Sequence, residues 1–285
     1  MELLQLRYFF DAARSQNFTK TAQKYYVPTS SVSQSIKRLE KELGVSLFER
    51  GANKVVLSEY GRILYDGVSA AFGALDGAIS KIDESRGEVC GEIRLCASTN
   101  RRIVTCAIES FSREYPSVRF VLNYGQSPED DCDIFVTDEM LGDDRYERRE
   151  LVKEKIMLAV GRESPILKRK NLCIADFSSA SFISMPKGSS LYRYTNEICR
   201  AAGFDPNISI CCDDPYYIRR YVDMGIGAAF VPTKSWKGQF TEKTVLLDLS
   251  PVTRNTYVYI NRKKLAREAV NRFLECLCGE AENAL

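Results

Sequence analysis

The sequence predicts an α/β protein in which a long helix joins a small helical N-terminal domain to a larger C-terminal domain. Three observations support this prediction. At 285 residues the chain is longer than a typical domain of about 150 residues, so more than one core is expected. Apolar residues recur at helical spacing over residues 3–43 and follow a near-heptad pattern over residues 59–84. From Gly91 onward, short β-prone runs alternate with helical ones, as they do in α/β domains.

The composition is that of an ordinary globular protein, with 45% hydrophobic and 27% charged residues. The first seven residues lack the long apolar stretch of a signal peptide, and no later run resembles a membrane span. We therefore expect a cytoplasmic protein with no membrane partner. Residues 1–58 hold nine Lys and Arg against five Asp and Glu, a mild electrostatic indication of nucleic-acid binding.

The side-chain inventory argues against catalysis. The chain has no histidine, which removes Ser-His-Asp and Cys-His triads and histidine metal ligands. Ten cysteines are scattered along the chain, so we expect reduced, buried thiols rather than disulfides. The aspartates at 130, 131 and 133 and at 213–214 are expected to lie in solvated loops. We therefore predict no enzyme, no catalytic or metal-binding residue and no cofactor.

Two amphipathic helices are predicted at the N-terminus. The apolar residues of the first recur at helical spacing: Leu3, Leu6, Phe9, Phe10 and Ala13. Thr19 is a candidate N-cap for a second, short helix that reaches about Tyr26, because its hydroxyl can accept an otherwise unpaired amide hydrogen bond. Ala22 is small enough to lie where two helices cross.

A third helix follows a tight turn at Val27 and Pro28, since proline suits the first turn of a helix. One apolar stripe is predicted to face the other helices: Val32, Ile36, Leu39 and Leu43. The opposite side carries short hydrogen-bonding groups and then cations: Thr29, Ser30, Ser33, Gln34, Lys37 and Lys41. This order suits a recognition helix, which reads base edges with its N-terminal residues and holds phosphates with Lys and Arg. A merely solvated helix face would show a similar pattern.

A small hairpin is predicted after the third helix. Residues 51–54, with glycine and an Asn-Lys pair, separate two short β-prone pieces at 45–50 and 55–57. A hairpin of this kind, called a wing when it follows a recognition helix, would place Arg50 and Lys54 against the DNA backbone or minor groove.

The residues up to Gly61 resemble the DNA-binding domain of LysR-type transcriptional regulators. The matching residues are Phe18-Thr19, Ala22, Val27, Ser33, Ile36-Lys37-Arg38-Leu39-Glu40, Glu42-Leu43-Gly44, Leu47-Phe48-Glu49-Arg50 and Leu57-Ser58-Glu59-Tyr60-Gly61. The resemblance implies a winged helix-turn-helix domain over residues 1–58, with its helix-turn-helix at about Phe18 to Lys37. It implies DNA contacts by Thr29, Ser30, Ser33, Gln34, Lys37, Arg38, Arg50 and Lys54.

Two departures from the family pattern fall in the helix-turn-helix. Pro28-Thr29-Ser30 replaces the usual serine cap followed by Gln-Pro, and Tyr25 replaces a core leucine. The operator sequence cannot be predicted from such a helix.

A linker helix is predicted over residues 59–84, followed by a hinge up to residue 88. Its apolar seam steps by four, three, four, four and three residues through Leu64, Val68, Ala71, Leu75, Ile79 and Ile82. A seam close to the heptad repeat favours pairing with a second copy of the chain, as a homodimer or within a tetramer. Packing against the chain's own domain is the alternative.

The region from residue 89 to 285 is predicted to be an α/β domain. Strands are expected at 92–97, 118–123, 134–137, 155–160, 181–184 and 228–231, with helices at 103–115, 191–202 and 215–224. Ser98, Thr99 and Asn100 form a hydroxyl-rich turn between the first strand and helix. Such a turn can bind an anion, although simple helix capping would use the same residue types.

This region resembles the two-lobed effector domain of LysR regulators, which is similar to periplasmic binding proteins. The matching residues are Gly91-Glu92-Ile93-Arg94-Leu95, Phe111, Tyr115-Pro116, Val118, Leu151, Glu154, Leu158, Ala202-Gly203-Phe204, Pro206, Gly225-Ile226-Gly227-Ala228-Ala229 and Val231-Pro232. The resemblance implies a small-molecule effector in a cleft lined by Ser98, Thr99, Asn100, Thr137, Ser184 and Gly225. It also implies an operator in double-stranded DNA and RNA polymerase as partners.

Two further departures concern the effector domain. Eight residues separate Tyr124 from Asp133, where the family normally fits a helix, so the first lobe is expected to be trimmed. Peroxide-sensing members use two cysteines about nine residues apart, and the corresponding positions here are Ser190 and Cys199. Ligand sensing is therefore favoured over redox sensing. A solute-binding protein remains the other class of interpretation, but it would need a signal peptide and no recognition helix.

Overall fold

A computed structural model of the chain describes residues 1–50, 55–85, 89–125, 127–128, 132–262 and 267–283. The chain divides into two compact units, Met1–Ile82 and Asp83–Leu285. Within the described ranges, no helix combines the length and apolarity needed to cross a membrane. The first unit encloses one main apolar core, and the second encloses separate cores in two lobes.

Three helices form the body of the first unit: α1 (Leu3–Ser15), α2 (Phe18–Lys24) and α3 (Thr29–Leu43). Phe9 and Ala22 are buried where these helices meet, as expected of a small residue at a crossing. Thr19 does not cap α2. Asn17 is the N-cap, and its Oδ1 accepts hydrogen bonds from the backbone N–H groups of Thr19 (2.9 Å) and Lys20 (3.0 Å).

The ends of α2 and α3 also differ from the prediction. Tyr26, with a left-handed φ of 54°, follows the end of α2, so the helix stops before it. Pro28 occupies the N-cap of α3 rather than its first turn. Val32, Ile36 and Leu39 are buried, but Leu43 is 40% exposed, because the helix ends there at Gly44.

The predicted hairpin consists of β1 (Phe48–Arg50) paired antiparallel with β2 (Val55–Leu57). Its turn, residues 51–54, lies outside the described residues. The following helix, α4 (Glu59–Ser85), begins against the hairpin. A Cβ atom at Gly61 would lie 2.1 Å from the backbone oxygen of Leu47, so this close approach requires glycine.

The second unit contains alternating strands and helices. In chain order its elements are β3 (Gly91–Ala97), α5 (Arg101–Glu114), β4 (Val118–Asn123), β5 (Ile134–Thr137), β6 (Tyr146–Gly161), β7 (Ser181–Ser184), α6 (Ser190–Ala201), β8 (Asn207–Cys211), α7 (Pro215–Asp223), β9 (Ala229–Pro232), β10 (Thr244–Leu247), β11 (Thr253–Asn261) and α8 (Glu268–Asn283).

The first lobe is a sheet whose strands β4, β3, β5 and β11 lie in that order, covered by α5 and α8. Both β4 and β5 pair in parallel with β3, so the chain must cross β3 between them. The described residues of that crossing are not helical. The Sγ atom of Cys96, near the end of β3, lies 3.6 Å from the backbone oxygen of Gly125 and 3.5 Å from that of Ser127. The expected trimming of the first lobe stays a prediction, because residues 126 and 129–131 of this connection lie outside the described residues.

Two long strands connect the lobes. Residues 146–155 of β6 pair with β11 in the first lobe, and residues 156–161 pair with β9 and β10 in the second. The prediction of a strand at 155–160 captured only the second part of β6 and missed β11. The first part of β6 is rich in charge because half of its side chains face solvent.

The second lobe is built around β7, β8 and β9. β7 pairs in parallel with β8, and Phe182 forms an isolated parallel bridge with Ala228 beside β9. The side chains of α6 and α7 pack with these strands around Phe182 and Phe230, whose rings are stacked at 5.9 Å. The predicted strands and helices of this lobe lie within two residues of the observed ones.

Candidate functional site

The first candidate site is the outward face of α3. Because Val32, Ile36 and Leu39 are buried, the helix turns its polar side away from the core. The predicted DNA-contacting residues on this helix are exposed, apart from Ser33, which is half-buried: Thr29, Ser30, Ser33, Gln34, Lys37 and Arg38.

The chemistry of this face changes along the helix. Hydroxyl and amide groups lie near its N-terminus, and the exposed cations Lys37, Arg38 and Lys41 follow in the later turns. This arrangement allows side chains at the N-terminus to reach base edges while the cations contact phosphates. Tyr26, which the sequence analysis did not single out, is 97% exposed immediately before this helix. An exposed aromatic ring beside a recognition helix adds a candidate contact to the surface.

Polar contacts position the hairpin beside α3. The Oε1 atom of Glu40 accepts a hydrogen bond from the backbone N–H of Leu47 at 2.8 Å. The hydroxyl of Ser58 donates to the backbone oxygen of Ser46 at 2.6 Å. Arg50 ends β1, and Lys54 lies outside the described residues. These hydrogen bonds fix the base of the hairpin, where its two strands meet α3 and α4.

A hydrogen-bonded cluster around one carboxylate connects α1 to the end of α2. Asp11 of α1 is almost buried and accepts hydrogen bonds from the Tyr25 hydroxyl (2.6 Å) and the Lys24 ammonium (2.8 Å). Burial and the neighbouring Asp11 carboxylate raise the pKa of Tyr25, so the phenol remains protonated as a donor. Tyr25, which departs from the family's leucine, thus serves as a hydrogen-bond donor within the unit.

The second candidate site is the cleft between the two lobes of the effector region. Ser98 donates to the Thr137 hydroxyl at 2.9 Å, which joins the ends of β3 and β5. The amide of Asn100 donates to the Thr256 hydroxyl at 2.6 Å, and its Oδ1 atom is buried without a partner among the described residues. The structure therefore brings Ser98, Asn100 and Thr137 to one edge of the first lobe.

Arg254 of β11 lies beside these residues and was not predicted from the sequence. Its Nη1 atom donates to the Thr99 hydroxyl at 3.0 Å, and its Nη2 atom lies 2.6 Å from Oε1 of Glu154. Both side chains are buried, with 3% and 0% exposed. Thr99 is therefore tied to an ion pair that spans β6 and β11.

Glu154 is held as a carboxylate. Its Oε2 atom accepts hydrogen bonds from the backbone N–H groups of Lys234 and Ser235, each at 2.8 Å, and its Oε1 atom accepts one from the Ser235 hydroxyl. Burial alone would raise the pKa of Glu154, but the charge of Arg254 and the Ser235 hydrogen bonds outweigh it and lower that pKa below its usual value.

Three sets of contacts cross from the first lobe to the second. Asp138, which follows β5, accepts a hydrogen bond from the hydroxyl of Ser190 at the start of α6. Glu139 lies 3.3 Å from the guanidinium of Arg193 on the same helix. Arg102 of α5 donates to two backbone oxygens in the segment after β9. These contacts hold the lobes together around Arg254.

Two predicted effector-binding residues, Ser184 and Gly225, belong to the second lobe. Ser184 is buried beneath α6, with its hydroxyl 3.5 Å from that of Thr195. A Cβ atom at Gly161 would lie 3.2 Å from the Cα atom of Gly225. Gly161 is seven residues beyond Glu154 on β6, roughly 23 Å along an extended strand. The prediction that Gly225 lines the cleft is therefore wrong, since it packs at the far end of the second lobe.

The aspartates and cysteines singled out in the sequence differ in burial: Asp213 and Asp214 are exposed as expected, but Cys173 and Cys211 are also exposed rather than buried. Asp133 is buried, not solvated as expected, and accepts hydrogen bonds from the backbone N–H of Arg94 (2.8 Å) and from Arg267 (3.1 Å). Burial raises the pKa of the Cys199 thiol to about 12, which makes it a poor nucleophile at neutral pH. Within the described part of the chain, no cluster of three potential metal ligands occurs.

Two family models together match most of the chain. The model described as "Bacterial regulatory helix-turn-helix protein, lysR family" matches residues 3–62, and that described as "LysR substrate binding domain" matches residues 86–281. The chain belongs to the LysR family of transcriptional regulators. As a LysR-type regulator it combines a DNA-binding helix-turn-helix domain with an effector-binding domain, and the two candidate sites fall one in each.

Curated LysR relatives match along nearly the whole chain. The transcriptional dual regulator GltC of Bacillus subtilis is 27% identical over 288 residues, which cover 96% of each chain. The HTH-type transcriptional activator CmpR of Synechocystis is 22% identical over 291 residues, which cover 98% of this chain and 96% of CmpR.

Solved LysR-family structures share the fold. A full-length OxyR variant from Pseudomonas aeruginosa matches with a TM-score of 0.68 and 19% identity, covering 99% of this chain and 95% of that one. Full-length CbnR in complex with its target DNA matches with a TM-score of 0.62 and 18% identity, covering 98% of this chain and 100% of CbnR. At these identities the comparison establishes the architecture.

Proposed function

We propose that this LysR-family protein is a cytoplasmic regulator that binds an operator through α3 and the hairpin, under control of a small molecule held between the lobes of its effector domain. RNA polymerase is the further partner that this role implies. The exposed polar face of α3 is the observation that carries the proposal. Three buried residues fix which side faces outward, and that side carries hydroxyls first and cations later.

The operator-binding form is proposed to contain two or four copies of the chain. Leu75, Ile79 and Ile82 follow the seam of α4 and are 48%, 57% and 55% exposed. Exposed apolar residues at heptad spacing are the pattern that pairs two long helices. Val68, earlier on the same seam, is buried against the helix-turn-helix core, so part of the seam also supports the unit itself.

The effector is proposed to bind near Ser98, Thr99, Asn100 and Thr137. Hydroxyl, amide and charged groups converge there between two apolar cores, which is the usual composition of a small-molecule site. Most of these polar groups form hydrogen bonds with one another. Such an arrangement suits the binding of a small molecule better than it suits proton transfer. Control then means that the effector binds one arrangement of the lobes more tightly than another.

The decisive experiment is a fluorescence-anisotropy titration of the full chain against the intergenic DNA upstream of its own gene. The titration includes a salt series and unrelated competitor DNA. We expect competitor-resistant binding that weakens with salt. Lys37→Ala should weaken binding to all sequences and lower the salt slope by about 1, because it removes one phosphate contact. Ser33→Ala should weaken operator binding more than binding to unrelated DNA.

Lys170→Ala is the matched control, since it removes the same charge from an exposed position in the effector unit. It should leave both affinity and salt slope unchanged. Equal binding by Lys37→Ala and wild-type protein would contradict the recognition-helix assignment. Wild-type binding that unrelated DNA competes away completely would contradict the operator proposal for that DNA.

A further inference from the structure

A carboxylate from within the chain occupies the centre of the effector cleft. Asp138 follows β5 in the first lobe, and its side chain is only 6% exposed. Its Oδ2 atom accepts a hydrogen bond from the hydroxyl of Ser190 and lies 3.5 Å from Nη1 of Arg254. Asp138 therefore touches the second lobe and a connecting strand at the same point.

The surroundings of this carboxylate are those that bind anions. Ser190 is the first residue of α6, a helix of 12 residues whose N-cap is Ser189, so unpaired amide groups and the positive end of the helix dipole lie beside it. The guanidinium of Arg254 approaches from β11, and the hydroxyl of Thr99 contacts the same Nη1 atom at 3.0 Å. A free carboxylate entering the cleft would seek this combination of donors.

The charge on Asp138 is only partly compensated. Arg254 is the described cation in contact with it, and Arg254 lies closer to Glu154, at 2.6 Å against 3.5 Å. Two further guanidinium groups bond elsewhere: Arg193 of α6 pairs with Glu139, and Arg102 donates to backbone oxygens. The Oδ1 atom of Asp138 accepts no hydrogen bond from any described residue, and it is not among the fully buried acceptors, although the side chain as a whole is only 6% exposed. An acceptor of this kind favours a hydrogen-bond donor that arrives from outside the chain.

We propose that Asp138 acts as a built-in ligand that fills the anion position of the cleft, and that the effector presents a cationic amine rather than a carboxylate at this position. The inference rests on the proposed function, since it names the chemical class of the effector at the same site. A carboxylate effector would have to displace Asp138 from Ser190 and Arg254 or lie against its charge. An ammonium group would instead compensate that charge and satisfy Oδ1.

The first test asks whether Asp138 fills an anion position. Asp138→Ala removes the carboxyl group and leaves space for formate, the smallest carboxylate. Thermal denaturation of the full chain is followed in sodium formate, with sodium chloride at equal ionic strength as reference. We expect formate to stabilise Asp138→Ala with a dissociation constant at least tenfold lower than for wild-type protein. Asp138→Asn keeps the volume filled and should respond as wild type does.

The second test uses ethylammonium and propionate as probes on wild-type protein, and it does not depend on whether Asp138→Ala folds. Ethylammonium should raise the melting temperature more than propionate does, and Asp138→Asn should abolish that difference. The proposal is overturned if folded Asp138→Ala ignores formate, or if wild-type protein responds equally to it. It is also overturned if propionate stabilises wild-type protein more than ethylammonium, or if Asp138→Asn keeps the full ethylammonium response.

Neither test involves DNA, so the two proposals can fail separately. Loss of specific operator binding would contradict the regulatory function while leaving the formate and ethylammonium results intact. Failure of the probe experiments with operator binding preserved would instead reject the amine effector alone.

Discussion

At the scale of single residues, one buried carboxylate supports the DNA-binding surface from behind. Asp11 of α1 contacts the Tyr25 hydroxyl at 2.6 Å and the Lys24 ammonium at 2.8 Å, and both partners lie at the end of α2. A carboxylate that is nearly buried must be satisfied by donors, otherwise its desolvation opposes folding. The cluster therefore fixes the end of α2, from which the chain turns into α3.

Tyr25→Phe should destabilise the DNA-binding unit by about 1–2 kcal/mol, because Asp11 loses its shortest hydrogen bond while the ring remains. Thermal or urea unfolding followed by a probe in this unit would measure the change. Tyr26→Phe is the matched control, since Tyr26 is 97% exposed and the same atom is removed. Equal stability of the two variants would show that the hydrogen bond to Asp11 contributes nothing measurable.

Residues also differ in how far sequence alone could assign them. The side of α3 on which Lys37 and Ser33 lie could be predicted, because three apolar residues on one helix stripe define the opposite face. Arg254 was not assigned because β11 was missed. Arg254, Thr256, Val258 and Ile260 alternate along β11 and are all buried, so an arginine shares the inward face of an apolar strand. This alternation is the sequence pattern from which β11 could have been predicted. Glu154, the partner of Arg254, lies 100 residues earlier in the chain. Residue periodicity describes local structure and does not predict such a distant pair.

At the scale of elements, α4 has two roles along one seam. Its first turns pack on the helix-turn-helix core through Leu64 and Val68, whereas Leu75 and Ile79 are exposed. The apolar spacing predicted the helix and its seam well, but it could not distinguish which turns are covered by the chain itself. That division depends on where α1 ends and on aromatic contacts such as Phe10 with Tyr65, whose stacked rings lie 5.1 Å apart.

The double substitution Leu75→Glu and Ile79→Glu should separate the copies proposed to pair through α4, because it places four like charges in the proposed interface between two helices. Sedimentation velocity would measure the mass, and anisotropy would show weaker operator binding as two half-sites lose their linkage. Ala70→Glu is the control, since this exposed position lies on the opposite side of α4. A double variant that remains dimeric would place the interface elsewhere.

At the scale of the whole molecule, the effector domain is closed by polar contacts rather than by a shared apolar core. The two lobes enclose separate apolar clusters, and hydrogen bonds or ion pairs from Arg102, Asp138 and Glu139 join them. Polar contacts of this kind can be exchanged for contacts with a ligand or water at small net cost. This arrangement supports the proposal that an effector bound between the lobes changes their relative position.

Arg102 provides the clearest test of this closure. Its Nε atom donates to the backbone oxygen of Ser235 at 3.1 Å and its Nη2 atom to that of Lys234 at 3.0 Å. The amides of these two residues donate to Glu154, so their hydrogen exchange reports directly on this part of the cleft. Arg102→Ala should speed their exchange by about tenfold, which corresponds to about 1.4 kcal/mol.

The neighbouring Arg101→Ala is the control for that measurement. Arg101 is exposed, and its guanidinium lies 4.7 Å from the ring centroid of Tyr124 within the first lobe, so its loss should leave the two amides protected. Faster exchange in both variants would mean that α5 stabilises the cleft through the first lobe as a whole. Faster exchange in Arg102→Ala alone would mean that a single side chain holds the second lobe against the first, because of the two neighbouring arginines only Arg102 is hydrogen-bonded to the second lobe.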